Sequence, residues 1–79
     1  MKVTVRLFGP LAEQAGAAQL EVVVPGAMVS EVVEAVRKAA PALRIDRAVR
    51  VAVNTDYAEP SARVRDGDVV SLIPPVGGG

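Results

Sequence analysis

The sequence predicts an α+β domain, a small mixed β-sheet with one main helix packed across it. Three observations carry that expectation. Lys2 to Phe8 and Val69 to Ile73 alternate between two faces in the way of strands. Between them, Val29, Val32, Val33 and Val36 recur at the spacing of a single helical stripe. Sixteen of the 79 residues are valine, a side chain that favours pleated, half-buried strands.

In the first strand Val3, Val5 and Leu7 share one face, so Thr4, Arg6 and Phe8 point the other way. Gly9-Pro10 stops it, and Leu11 to Ala15 reads as one short helical turn ahead of Gly16. A second strand runs from Gln19 to Val24 with Leu20, Val22 and Val24 on one face, and pairs antiparallel with the first. Pro25-Gly26 breaks it. Two starts fit the helix. Ser30 offers a capping hydroxyl, whereas a start at Met28, with Glu31 three residues on, uses the valine stripe better but has no capping side chain. Arg37 and Lys38 suit the negative end of the helix, and Pro41 terminates it. A third strand is expected from Val49 to Asn54, a turn at Asn54-Thr55-Asp56, and a brief edge strand at Arg63 to Val64. Asp66-Gly67-Asp68 reads as a tight, solvated turn into the last strand, where Val70 and Leu72 face opposite to Val69, Ser71 and Ile73. Pro74-Pro75 ends that strand. Strand, strand, helix, strand, short strand, strand is the ubiquitin-like β-grasp order. It makes the first and last strands central neighbours, with residues 1–73 as the domain and 74–79 as a flexible glycine-rich tail.

Composition removes whole classes of function. With no cysteine and no histidine, the chain has no thiolate zinc site, cysteine nucleophile or histidine base, and no metal site is expected. Nine basic residues balance nine acidic ones, which gives no long-range pull toward nucleic acid or anionic lipid. Apolar runs such as Val22 to Val24 are far short of the roughly 18 residues a membrane span needs. The alternating start from Met1 is unlike a secretory signal, so the cytoplasm is the expected compartment. Arg37, Lys38, Arg44, Arg47 and Arg50 form a local basic cluster broken by Asp46, which reads first as a solvated face and next as a site for an acidic partner.

Two features suggest chemistry outside the chain itself. Pro74-Pro75 stiffens the start of the tail, and Gly77, Gly78 and Gly79 carry no side chains, so the end can thread a channel too narrow for any other residue. A terminal glycine carboxylate is unhindered, and it becomes reactive once a leaving group such as AMP is attached. A glycine run by itself also fits a frayed end. The second feature is apolar. By strand parity Phe8 lies opposite to Val5 and Leu7, Ile73 lies opposite to Leu72 on the neighbouring strand, and Tyr57 follows the turn after the third strand. Together they suggest a partner surface at the root of the tail; the alternative has Phe8 folded beneath Leu11 as a satellite core residue.

Val5-Arg6-Leu7-Phe8 leading into Leu11-Ala12-Glu13, then Val51-Ala52-Val53-Asn54, Asp66-Gly67-Asp68-Val69-Val70, and above all Pro74-Pro75-Val76-Gly77-Gly78-Gly79 resemble one family across the chain. It is the small subunit of molybdopterin synthase, within the MoaD/ThiS group of ubiquitin-like sulfur carriers. The resemblance implies that a ubiquitin-activating-type adenylyltransferase, using ATP and magnesium, adenylates Gly79. A sulfur donor protein then converts it to a thiocarboxylate. The large synthase subunit takes in Pro74, Pro75, Val76, Gly77 and Gly78 and passes the sulfur to precursor Z, the cyclic pyranopterin monophosphate, to build the molybdopterin dithiolene. Phe8, Tyr57 and Ile73 match the family's docking positions. On this reading the chain binds no cofactor, and the catalytic groups lie on the large subunit. Met28, Ala12 and Gly77 depart from the family pattern, at the helix start, a polar contact and the tail respectively. The same tail chemistry fits a carrier for thiamin, cysteine or tRNA thiolation, and a ubiquitin-like protein modifier. An inert β-grasp binding module is the reading without tail chemistry.

Overall fold

Valine-rich alternation at the two ends of the chain produces two adjacent central strands. β1 (Lys2–Leu7) and β5 (Val69–Ile73) run parallel, with Val5 beside Val70 and Leu7 beside Leu72. This is a computed structural model, and it describes residues 1–26 and 28–75. β2 (Gln19–Val23) pairs antiparallel with the other edge of β1, joined to it through α1 (Pro10–Ala15). β3 (Arg50–Val53) and β4 (Asp56–Tyr57) complete a five-stranded mixed sheet in the order β2-β1-β5-β3-β4. The main helix, α2 (Val29–Ala39), packs on one face of this sheet. The expected β-grasp is therefore the fold.

The inner face follows strand parity. Val3, Val5, Leu7, Val22, Val24, Val70 and Leu72 are buried against Val29, Val32 and Val36 of α2. Burial of such side chains contributes about 1.5–3 kcal/mol each. Leu11, Leu43 and Val64 close the ends of this core from α1 and two loops, placements that periodicity alone does not reveal. Gly16 ends α1 in the left-handed conformation at φ 70°, its N–H donating to the carbonyls of Ala12 and Glu13.

The N-cap of α2 is Met28, not Ser30. Its capping side chain is missing, and tertiary contacts replace it. The N–H groups of Val29 and Ser30 donate to the carbonyls of Ala62 and Pro60, both at 3.0 Å. The carboxylate of Glu31 reaches back to the N–H of Met28 at 3.3 Å.

The expected edge strand at Arg63–Val64 is corrected by the same segment. Arg63 makes only an isolated bridge with Met28, because the chain from Ala58 to Val64 is committed to covering the helix start and to burying Val64. The short fourth strand instead lies at Asp56–Tyr57, directly after a two-residue turn. Val53 pairs with Asp56, so Asp56 belongs to β4 and only Asn54 and Thr55 turn the chain. Asn54 takes φ 55° to do so.

Candidate functional site

On the outer face, the register aligns four residues in a row across four strands. Arg6 lies opposite Ser71, Ser71 opposite Ala52, and Ala52 opposite Tyr57. Ser71 and Ala52 point away from the core, yet they are only 8% and 7% exposed. Larger neighbours stand over them. In the adjoining row, Ile73 lies opposite Arg50, and Phe8 follows Leu7, the partner of Leu72. The two small side chains thus floor a dimple of about 410 Å³ lined by Phe8, Ala52, Asn54, Thr55, Tyr57, Ser71 and Ile73.

The three positions singled out for docking, Phe8, Tyr57 and Ile73, therefore share one concavity. Phe8 is 39% exposed and Tyr57 66%, so Phe8 is not tucked beneath Leu11. Each aromatic carries an arginine. The guanidinium of Arg6 stands over the Phe8 ring, and that of Arg50 over the Tyr57 ring, both 5.5 Å from the centroid. The sequence pattern gave no sign of these stacks, nor of the small-residue floor, because both depend on cross-strand register.

The root of the tail lies beside this face. Pro74 follows Ile73 and is half-buried, and its Cγ is 3.6 Å from where a Cβ on Gly9 would stand. Pro75 is exposed. Val76, Gly77, Gly78 and Gly79, expected to form the working end, lie outside the described residues.

Asp66-Gly67-Asp68 proves to be a tie between strands rather than only a solvated turn. Asp66 Oδ1 accepts the N–H of Lys2 at 2.8 Å, and Gly67, at φ 88°, donates to the Lys2 carbonyl at 3.2 Å. Asp68 accepts from the N–H of Arg65 at 2.8 Å and from the amide of Asn54 at 3.3 Å.

The basic cluster does not act as one patch. Arg37 pairs with Glu34 at 3.1 Å and donates to the Ile45 carbonyl at 2.8 Å, whereas Arg50 stacks on Tyr57. A larger groove of about 540 Å³ runs between α2 and residues 45–51; Arg37, Arg47 and Arg50 line it, but neither Phe8 nor Ile73 does. Among the described residues, no group of three His, Cys, Asp or Glu side chains is placed to hold a metal ion. Among the same residues, no helix is long and apolar enough to cross a membrane.

The ThiS family model matches residues 5–79, from the first strand through the glycine tail. The chain belongs to the ThiS family. Like other ThiS-family members it has the fold of the ubiquitin-like sulfur carriers, as three solved structures indicate. SAMP1 from Haloferax volcanii, a small archaeal modifier protein, is 30% identical over 100% of both chains, with a TM-score of 0.89. A putative molybdopterin converting factor subunit 1 from Pyrococcus furiosus is 32% identical over 95% of this chain and 98% of its own, with a TM-score of 0.82. A complex of subunits 1 and 2 of the molybdopterin-converting factor from Helicobacter pylori matches at 28% identity over 100% of both chains, with a TM-score of 0.72. No curated protein sequence matches the chain.

Proposed function

We propose that this ThiS-family chain is the sulfur-carrying subunit of molybdopterin synthase. The observation that carries the reading is the apolar dimple of Phe8, Tyr57 and Ile73 at the root of a tail ending Pro-Pro-Val-Gly-Gly-Gly. Likeness to molybdopterin converting factor subunit 1, which in Helicobacter pylori is found with subunit 2, supports the choice of pathway.

The chemistry is borrowed. The Gly79 carboxylate attacks the α-phosphate of ATP on a magnesium-dependent, ubiquitin-activating-type enzyme, releasing pyrophosphate and forming an acyl adenylate. Hydrosulfide delivered by a sulfur donor protein attacks the acyl carbon and expels AMP, leaving a thiocarboxylate, a good sulfur nucleophile. The large subunit then docks on the outer face and takes in Pro74 to Gly79, which span about 20 Å when extended. Holding the sulfur against precursor Z replaces a bimolecular encounter with a positioned one. Two transfers complete the dithiolene. This chain supplies the sulfur and the docking surface, and the large subunit supplies the catalytic groups, all in the cytoplasm.

The test follows one peptide. Trypsin releases Asp66–Gly79, which contains no methionine, so oxidation at Met1 or Met28 cannot imitate a sulfur-for-oxygen exchange within it. Incubation with activating enzyme, ATP, magnesium and a sulfur source is expected to shift its mass by that exchange, and the product is expected to convert precursor Z with the large subunit. An unshifted peptide would remove every carrier reading. A shifted peptide that leaves precursor Z untouched would move the assignment to another acceptor, in thiamin, cysteine or tRNA thiolation. The 30% identity to SAMP1 favours one second reading, a protein modifier joined to lysines through Gly79, which mass spectrometry of Gly79-linked lysines in cells would reveal.

A further inference from the structure

Arg6 and Arg50 flank the outer-face dimple without lining it, two strands apart across the sheet and one inter-residue repeat along it, about 12 Å between Cα atoms by ideal strand spacing. Their stacking partners, Phe8 and Tyr57, are among the residues that line it. Each guanidinium stands over a ring face, 5.5 Å from its centroid. Among the described residues neither takes part in an ion pair; the two that form are Lys2–Glu21 and Arg37–Glu34. Neither donates a side-chain hydrogen bond there either.

A partner whose surface covers the Phe8 and Tyr57 rings also covers the exposed guanidiniums that stand over them and withdraws both cations from water. A buried, unpaired guanidinium is strongly unfavourable, so a stable complex has to supply an acceptor for each. Bidentate carboxylates match the planar fork best. We infer that the docking partner presents an apolar side chain flanked by two carboxylates, one for Arg6 and one for Arg50, and that this pair of charges selects and orients the partner on the sheet. The diagonal placement sets the line along which the partner's two carboxylates must lie, from Arg6 on β1 to Arg50 beside Ile73. The inference rests on the proposed function, which identifies the partner as the large synthase subunit.

The experiment is calorimetric titration of the full chain with the large synthase subunit from the same organism, at low and high salt. Arg6→Gln and Arg50→Gln keep most of each side chain's apolar stem and remove the charge; Lys38→Gln, on the last turn of α2, is the control. Each arginine variant is expected to bind roughly tenfold more weakly, with a flatter salt dependence, while Lys38→Gln binds as the parent does. Equal affinity and an unchanged salt dependence in Arg6→Gln and Arg50→Gln would overturn the inference and leave the proposed function standing. If the parent chain itself fails to bind the large subunit, the proposed function falls first, and the inference with it.

Discussion

Asn54 and Asp68, fourteen residues apart, are joined side chain to side chain at 3.3 Å. The Asn54 oxygen also accepts the N–H of Val69 at 3.1 Å, and the Asn54 N–H donates to the Val69 carbonyl at 2.7 Å. One turn residue thus locks the β3–β4 hairpin to the start of β5. The two sequence motifs that contain these residues thus meet where the sheet brings β3 beside β5.

That lock makes a stability prediction. Asn54→Ala loses both side-chain hydrogen bonds and places alanine at φ 55°, a cost of about 1–2 kcal/mol from the backbone alone. Asn54→Gly loses the same hydrogen bonds without the steric conflict and should recover about 1 kcal/mol relative to Asn54→Ala. Urea denaturation of the two variants measures the difference; equal midpoints would dismiss the backbone argument.

Gly9 joins β1 to α1 at φ 52° and ψ −129°, a conformation that side chains rarely adopt. Gly9→Ala should therefore cost roughly 1–3 kcal/mol. A methyl group there also stands against Pro74, so amide shifts at Ile73 and in β5 should accompany the loss. A variant that melts like the parent would show that the turn relaxes freely.

Core and outer face should respond to truncation in opposite ways. Leu72 is fully buried between Leu7 and Val51 in the sheet, and Leu72→Ala should cost about 2–5 kcal/mol. Tyr57→Ala removes an exposed ring and its arginine stack, and should change stability by about 1 kcal/mol or less. In the proposed complex, however, Tyr57→Ala should weaken binding of the large subunit roughly tenfold. Thermal melts and titration calorimetry separate the two effects.

The position of the terminus is the last prediction. Appending one alanine after Gly79 moves the carboxylate proposed to carry the sulfur by about 3.5 Å and gives it a side chain. Sulfur transfer to precursor Z should be abolished, with an unchanged melting temperature. An extended chain that still supports full turnover would show that the partner's channel tolerates both.

Alternation in Lys2–Phe8 and Val69–Ile73 determined which side chains face the core, since strand parity is a local property that a one-residue slip would invert throughout. The valine stripe determined the buried side of α2 in the same way. The terminal motif was read from the sequence as a resemblance, since it is a run of consecutive residues that needs no folded neighbour to be recognised. Other features required the folded sheet. Only the carbonyls of Pro60 and Ala62 could decide that α2 starts without a capping side chain, and that decision displaced the short strand from Arg63–Val64 to Asp56–Tyr57. Ser71 and Ala52 become the floor of a dimple, and Arg6 and Arg50 come to flank it, through register between strands distant in sequence. Periodicity reports which way a side chain points, whereas what stands beside it depends on which strands are neighbours.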